Sequence, residues 1–90
     1  MIKEFVWFKG GLVRRESAVV SVFSPTAQFG LNVFEGLRAY WNEEGQELFV
    51  VELDLHINRL FESAKIIGFK IPLSVNKIKA AIFDTLKKND

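Results

Sequence analysis

The apolar positions of this chain change their spacing about halfway along, from short extended runs to helical repeats. In the first half, apolar and β-branched residues are separated by glycine-containing and polar turns, which predicts antiparallel strands near residues 4–8, 12–15, 34–41 and 47–52. In the second half, apolar residues recur every three or four positions, which predicts helices near 54–67 and 75–88. Strands followed by helices predict an α+β fold, with a mostly antiparallel sheet covered on one face by two helices.

The connections between these elements carry recognisable turn and capping signals. Residues 9–11 read as a tight hairpin turn that contains glycine. Residues 18–23 form a further extended run, and residues 26–33 a connecting turn or short helix in which Gly30 has a positive φ. Gly68 is expected just after the first helix, and Ser74 is expected to cap the second.

Composition and charge narrow the class of protein. Ninety residues make one small domain at most, yet 49% are hydrophobic and nine are Phe, which favours some apolar surface for a partner or a missing domain. A net charge of +1 gives no electrostatic case for nucleic acid. No cysteine is present, which fits a cytoplasmic protein without disulfides, and no apolar run approaches the roughly 20 residues that span a membrane.

The segment from Phe29 to Tyr40 places two glycines, a carboxylate and an arginine within an apolar run. If it is a strand, Phe34, Gly36 and Arg38 share one side, while the other side is core apart from Glu35 and contains Leu37, Ala39 and Trp41. Glycine within a strand often marks close approach by another group, and Arg38 beside it would suit a carboxylate or phosphate. The alternative is an edge strand with a solvated arginine.

A second candidate site lies in the first turns of the first predicted helix, which contain His56, Asn58 and Arg59. Free backbone N–H groups at a helix start favour an anion, and Arg59 would add a full charge. The alternative is an ordinary exposed arginine, with His56 as a structural hydrogen-bonding residue. The sequence contains no Gly-rich phosphate loop, no second histidine for a metal site and no serine with a readable histidine partner, so no catalytic residue and no metal ligand is assigned.

Several of these segments together resemble the branched-chain amino-acid aminotransferases, which are class IV, fold-type IV pyridoxal-phosphate enzymes. Phe34-Glu35-Gly36-Leu37-Arg38 resembles the family's Phe-Glu-Gly-(Ile/Leu)-Arg motif, and His56-Ile57-Asn58-Arg59-Leu60 resembles its His-x-x-Arg-Leu helix start. Residues 5–13 resemble the opening hairpin, residues 29–33 the aromatic-Gly-x-x-Val segment, and residues 62–65 continue in register. The resemblance covers essentially the whole chain.

This resemblance implies specific roles for the motif residues. Arg59 would bind the phosphate of pyridoxal phosphate, Phe34 and Gly36 would line the substrate pocket, and Arg38 would lie at the same pocket wall. The aromatic position that reaches the partner subunit's active site is Phe29 here, where many members have tyrosine, so the hydrogen bond from that hydroxyl is absent.

The resemblance also implies that residues 1–90 are an incomplete N-terminal small domain. Family members are much longer and have a second domain that carries the cofactor lysine, and none of the lysines Lys65, Lys70, Lys77, Lys79, Lys87 and Lys88 matches that position. The isolated chain is therefore expected to be inactive and to hold no cofactor stably. The complete enzyme would be a homodimer that moves an amino group between Leu, Ile or Val and 2-oxoglutarate.

Two alternatives stay open at this point. One is a stand-alone, non-enzymatic association module of the same fold. The other is a relative with different chemistry, such as a D-amino-acid aminotransferase or an aminodeoxychorismate lyase, although the Phe-Glu-Gly-x-Arg motif favours the branched-chain type. Whether the reading frame or its neighbour continues past Asp90 into a domain with a cofactor lysine separates the enzyme from the module.

Overall fold

A computed structural model describes residues 4–89, which form two compact units. The first contains the described residues up to Leu31 and from Leu73 onward, and the second is Asn32–Pro72. Each unit combines one antiparallel strand pair with one long helix, which confirms the α+β class. The described strands pair as two two-stranded sheets, one in each unit, rather than as the single sheet expected from the sequence.

The first unit opens with the predicted hairpin. Strands β1 (Phe5–Phe8) and β2 (Gly11–Arg14) pair antiparallel across a two-residue turn. Lys9 and Gly10 both have positive φ, 51° and 94°, which is the geometry that matches the twist of a tight hairpin. The second strand starts one residue earlier than predicted and runs into a short 3-10 turn.

The run at residues 18–23 belongs to no strand, although the sequence indicated an extended segment there. Its larger apolar side chains are exposed, with Phe23 at 85%, and no strand among residues 4–89 pairs with the run. The short helix α1 (Pro25–Phe29) follows, where the sequence left a connecting turn or a short helix open. The Ser24 hydroxyl caps it by accepting from the Ala27 N–H at 3.2 Å, and Gly30 ends it with φ 64°, as predicted.

Helix α3 (Val75–Asn89) completes the first unit by packing against the hairpin. The side-chain amide of Asn89 forms both backbone hydrogen bonds of Phe5: Oδ1 accepts from the Phe5 N–H at 2.8 Å, and Nδ2 donates to the Phe5 carbonyl at 2.7 Å. The last helical turn therefore satisfies β1 in the way that a neighbouring strand would.

The second unit contains β3 (Ala39–Asn42), β4 (Glu47–Val50) and α2 (Leu53–Ile67). The predicted strand at 34–41 is wrong for residues 34–38. The hydrogen bond from the Val51 N–H to the Arg38 carbonyl, 2.9 Å, is the last one between the two chain segments. Glu52 then takes a left-handed conformation, φ 48°, that turns the chain into α2, so the partner strand ends before residues 34–37 can pair.

The end of α2 and the start of α3 both lie at the predicted signals. Gly68 follows α2 with φ 101°, and its N–H bonds to the Ala64 carbonyl. The Ser74 hydroxyl accepts from the Lys77 N–H at 3.1 Å at the start of α3. These local caps explain why the helix boundaries agree with the sequence to within a residue.

The buried core of the described residues is small. Four apolar residues are buried, namely Val50, Ile57 and Ala64 in the second unit and Ala81 in the first. No large side chain is fully buried in the described part of the chain. The expectation that Leu37 and Trp41 are core residues is wrong, because they are 37% and 52% exposed. Large apolar side chains remain at the surface, among them Phe29, Phe34 and Ile66 at more than four-fifths exposure. Between residues 4 and 89, no helix has the length and apolar character that crossing a membrane requires.

Candidate functional site

The centre of the second unit's polar chemistry is a three-residue cluster of Glu35, His56 and Arg59. The Arg59 guanidinium donates through Nε to Glu35 Oε2 and through Nη2 to Glu35 Oε1, both at 2.8 Å. Glu35 Oε1 also lies 2.7 Å from His56 Nδ1. Paired N–H groups from a planar fork to a carboxylate make a bidentate contact, which is among the strongest side-chain interactions.

The elements of the unit explain why these three side chains meet. His56 and Arg59 lie three residues apart on α2 and so share one face of the helix. Glu35 precedes β3 on the side that alternation places toward the core, and its side chain is only 11% exposed. A carboxylate in that position needs charged partners, and the helix face supplies them.

Exposure rises across the cluster from Glu35 outward. The His56 side chain is 21% exposed, whereas that of Arg59 is 67% exposed. Arg59 is thus anchored at its inner edge and open at its outer edge.

The hydrogen bonds determine the protonation of the cluster. Those from Arg59 and, second, from His56 lower the pKa of Glu35 from 4.5 to about 2, although partial desolvation opposes the shift. The same pairing with Glu35 raises the pKa of Arg59. Because an ionised carboxylate can only accept, His56 Nδ1 carries the hydrogen in this contact.

Arg59 retains donors for a second anion. A guanidinium has five N–H donors, Glu35 takes two of them, and the remaining three lie on Nη1 and Nη2. Arg59 is also one of the residues that line a shallow depression of about 370 Å³, with Glu52, Leu55, His56, Asn58 and Glu62. This donor set fits one face of a phosphate group, but the two carboxylates in the lining mean that the surroundings are not positive overall.

The helix start contributes less to this site than the sequence suggested. Helix α2 begins at Leu53, so Arg59 is its seventh residue and lies in the second turn. The field of a helix dipole falls off within the first turn, and Asp54 already occupies that turn. An anion at this site would therefore depend on the Arg59 side chain rather than on backbone N–H groups.

The other predicted site residues are not members of the hydrogen-bonded cluster. Phe34, Gly36 and Arg38 are exposed along the segment before β3, and a Cβ on Gly36 would meet nothing within 4 Å. In the described part of the chain, the Arg38 side chain makes no hydrogen bond or ion pair. Phe29 lies at the end of α1, in the first unit.

Sequence reasoning missed the role of Glu35. It identified Glu35 as a buried-looking carboxylate, and His56 and Arg59 as one helical group, without joining the two. The signal was available, because a single carboxylate on the apolar side of an extended segment requires a cation nearby. No group of three potential metal-ligating side chains occurs among residues 4–89.

Comparison with known proteins places this chain in a family. The family model for amino-transferase class IV matches residues 32–90, which include the whole Glu35–His56–Arg59 cluster. This chain therefore belongs to the class IV aminotransferase family.

The curated relatives refine that assignment. The branched-chain-amino-acid aminotransferase of Escherichia coli (strain K12) is 37% identical over 87 residues, which are 97% of this chain and 28% of the relative. The corresponding protein of Pseudomonas aeruginosa is 36% identical over 85 residues, 27% of its length. The chain thus spans little more than a quarter of the length of these two relatives.

Solved structures agree with this assignment. The branched-chain aminotransferase of Thermoproteus uzoniensis, crystallised with norvaline, matches with a TM-score of 0.87 and 44% identity over 97% of this chain and 29% of that one. The T.th. branched-chain amino acid aminotransferase complexed with N-(5'-phosphopyridoxyl)-L-glutamate matches with a TM-score of 0.89 and 31% identity, over 97% of this chain and 29% of its own. The matched part is the N-terminal region of these enzymes. The family is dependent on pyridoxal phosphate, as the phosphopyridoxyl and pyridoxamine phosphate groups in such structures indicate.

Proposed function

We propose that this chain supplies the N-terminal small-domain part of a pyridoxal-phosphate-dependent branched-chain amino-acid aminotransferase. The complete enzyme would transfer an amino group between Leu, Ile or Val and 2-oxoglutarate. The chain by itself would be inactive, because the lysine that carries the cofactor would lie in the remainder of the enzyme.

The observation that carries the proposal is the state of Arg59. Its side chain is 67% exposed, held along one edge by Glu35, and has three N–H donors left for an anion. It also occupies the arginine position of the His-x-x-Arg-Leu motif. The Glu35 contact by itself only satisfies a nearly buried carboxylate, so the phosphate role is supported by the remaining donors together with the motif position.

The remaining roles follow from position on the chain. Pyridoxal phosphate, when bound, supplies the electron sink for amino-group chemistry, while the protein binds and orients it. Arg59 would bind its phosphate. Phe34, Gly36 and Arg38 would present one side of the segment before β3 to the substrate, and the bare Gly36 backbone leaves room for a close approach. Phe29 would contribute to substrate binding at the partner subunit's site.

The exposed apolar surface supports the proposal that other polypeptide covers this chain. Phe29 and Phe34 are each 83% exposed, which is unusual for aromatic side chains in a free domain. We propose that the rest of the enzyme and a second copy, in a homodimer, cover them, and that the enzyme works in the cytoplasm. The same surface would also serve a stand-alone association module, so activity is needed to separate the two functions.

A chimera tests the proposal directly. Residues 1–90 replace the matching segment of the Escherichia coli relative, and transamination of leucine with 2-oxoglutarate is measured. We expect an active chimera. Arg59→Ala should weaken cofactor affinity about tenfold to a hundredfold, the scale of a hydrogen bond to a charged group. Arg59→Lys should restore it only in part, because the fork geometry is lost.

Arg14→Ala is the matched control, since Arg14 is an exposed arginine at the end of β2 with no described ion pair, and it should leave cofactor affinity unchanged. A folded but inactive chimera would favour the association module. Equal cofactor affinity with and without Arg59 would remove its phosphate role, and transamination by the 90-residue chain alone would contradict the claim that none of its lysines carries the cofactor.

A further inference from the structure

The Arg59 guanidinium has one occupied edge and one free edge. The occupied edge comprises Nε and one N–H of Nη2, which meet the two oxygens of Glu35 at 2.8 Å. The free edge comprises Nη1 and the other N–H of Nη2. Because the guanidinium is planar and rigid, fixing the first edge also fixes the direction in which the second points.

Glu35 can fix this direction because it is itself held. Its Oε1 accepts from His56 Nδ1 at 2.7 Å, and its side chain is 11% exposed, far less than that of Arg59. His56 and Arg59 lie on the same face of α2, so both partners of Glu35 come from one helix face. Glu35 is therefore held by two side chains and is less exposed than the guanidinium that it contacts.

Charge alone does not explain how this site would select a phosphate. Glu35 neutralises the charge of Arg59, and Glu52 and Glu62 line the same depression. A phosphate approaching this surface meets more carboxylates than cations. Binding must then depend on well-directed N–H donors, whose orientation is already set before the ligand arrives.

We propose that Glu35 is a positioning residue, which holds Arg59 through one edge so that its free edge binds the phosphate of a pyridoxal-phosphate-type ligand, with His56 supporting Glu35. This inference rests on the proposed function of Arg59. The opposing hypothesis is that Glu35 competes with the phosphate for Arg59. The two make opposite predictions for loss of the Glu35 charge, because removing a nearby anion by itself strengthens the binding of another anion.

Nuclear magnetic resonance on the 90-residue chain can separate them. The probe is pyridoxamine 5'-phosphate, whose amine cannot condense with surface lysines as the aldehyde of pyridoxal phosphate does, and pyridoxamine without phosphate is its control. In the wild type, we expect a slowly exchanging Arg59 Nε–H signal, and weak binding of pyridoxamine 5'-phosphate that shifts the Nη signals but not Nε. Glu35→Gln, which keeps the shape and removes the charge, should abolish the Nε–H protection and weaken binding at least about fivefold.

Glu62→Gln is the matched control for charge, because it removes a carboxylate from the same depression without touching Arg59. It should leave binding unchanged or strengthen it slightly. If circular dichroism shows that Glu35→Gln does not fold, His56→Phe replaces it, since this variant keeps the Glu35 charge and removes only its support. The expected result is again weaker binding and faster Nε–H exchange.

Each outcome decides a specific claim. Equal or tighter binding in a folded Glu35→Gln would show competition or no role, and would overturn the positioning inference alone if Arg59→Ala still loses binding. Equal binding of pyridoxamine with and without phosphate, or an unaffected Arg59→Ala, would remove the phosphate role from Arg59 and reject the proposed function and this inference together. Absence of wild-type binding at millimolar ligand would overturn the inference that Glu35 sets Arg59 for a phosphate in this chain, whereas the proposed function would still be decided by the chimera.

Discussion

Glu35 and Arg59 are 24 residues apart in the sequence, and their side chains meet in two hydrogen bonds of 2.8 Å. Glu35 lies in the part of the predicted strand that has no partner strand. The ion pair with Arg59 and the contact with His56 therefore attach this unpaired segment to α2, where the backbone ladder between β3 and β4 has already ended. Side-chain contacts thus attach residue 35 to the rest of the unit, whereas backbone hydrogen bonds attach residues 39–42.

The first prediction concerns acid stability. The pKa of Glu35 is lowered to about 2 in the folded chain by Arg59 and His56, below its ordinary value of 4.5. Its contribution to stability is then fully present above about pH 4.5 and is lost as pH falls from there towards 2. Urea unfolding across this range should show a falling midpoint in the wild type and a flatter profile in Glu35→Gln. Glu62→Gln is the control, because Glu62 has no described ion pair, and this variant should show the same fall of the midpoint as the wild type. If the midpoint of Glu35→Gln falls as steeply as that of the wild type, Glu35 is not the source of the acid sensitivity.

The second prediction compares two isoleucines of α2. Ile57 is 3% exposed and Ile66 is 81% exposed, on the same helix and with the same side chain. Ile57→Ala should lower the free energy of unfolding by about 2–5 kcal/mol, because it leaves a cavity, whereas Ile66→Ala should change it by less than about 0.5 kcal/mol. Denaturant titration of both variants tests this. Similar losses in both would mean that the surface around Ile66 is covered in solution.

The third prediction concerns Gly36. Its φ is not positive, and a Cβ would meet nothing within 4 Å, so Gly36→Ala should not destabilise the chain. Gly30→Ala is the control, because φ 64° should make it cost about 1–2 kcal/mol. In the chimera described above, a stable Gly36→Ala with raised KM for leucine would support a close approach by substrate. An unchanged KM would argue against Gly36 as a pocket residue.

The fourth prediction concerns self-association. Phe23, Phe29 and Phe34 each expose more than four-fifths of their surface, and exposed apolar surface favours association. We expect concentration-dependent self-association, with a dimer as the first species, because a two-fold pair is the commonest closed assembly. Light scattering over a concentration series measures it. A strict monomer at high concentration would show that this surface does not drive association.

Local signals in the sequence predicted the helices and turns better than the pairing of the strands. Ser74, Gly30 and Gly68 act within a few residues of their own position, so the boundaries that they set could be predicted. The extent of a strand depends on a distant partner. The length of β3 is limited by the turn at Glu52, which no pattern around Phe34 reveals.

The candidate site divides in the same way. The spacing of residues in the sequence was enough to predict that His56 and Arg59 share one face of a helix. Their link to Glu35 crosses 24 residues, and no period in the sequence encodes it. The sequence also failed to show that the strands form two separate sheets. Alternation indicates which residues can form strands, but it does not indicate which strands pair with each other.

The contact between Phe5 and Asn89 also has a consequence for the order in which this chain folds during synthesis. Asn32–Pro72 emerges from the ribosome complete, with both strands and the helix of its unit, while α3 is still to be made. The β1–β2 hairpin is made earlier still, yet it waits for α3, 84 positions later, before its edge is satisfied. Bringing such distant segments together is slow relative to local closure. The second unit is therefore expected to fold before the first, and the β1–β2 hairpin is the part of these two units that a chaperone would need to protect for longest.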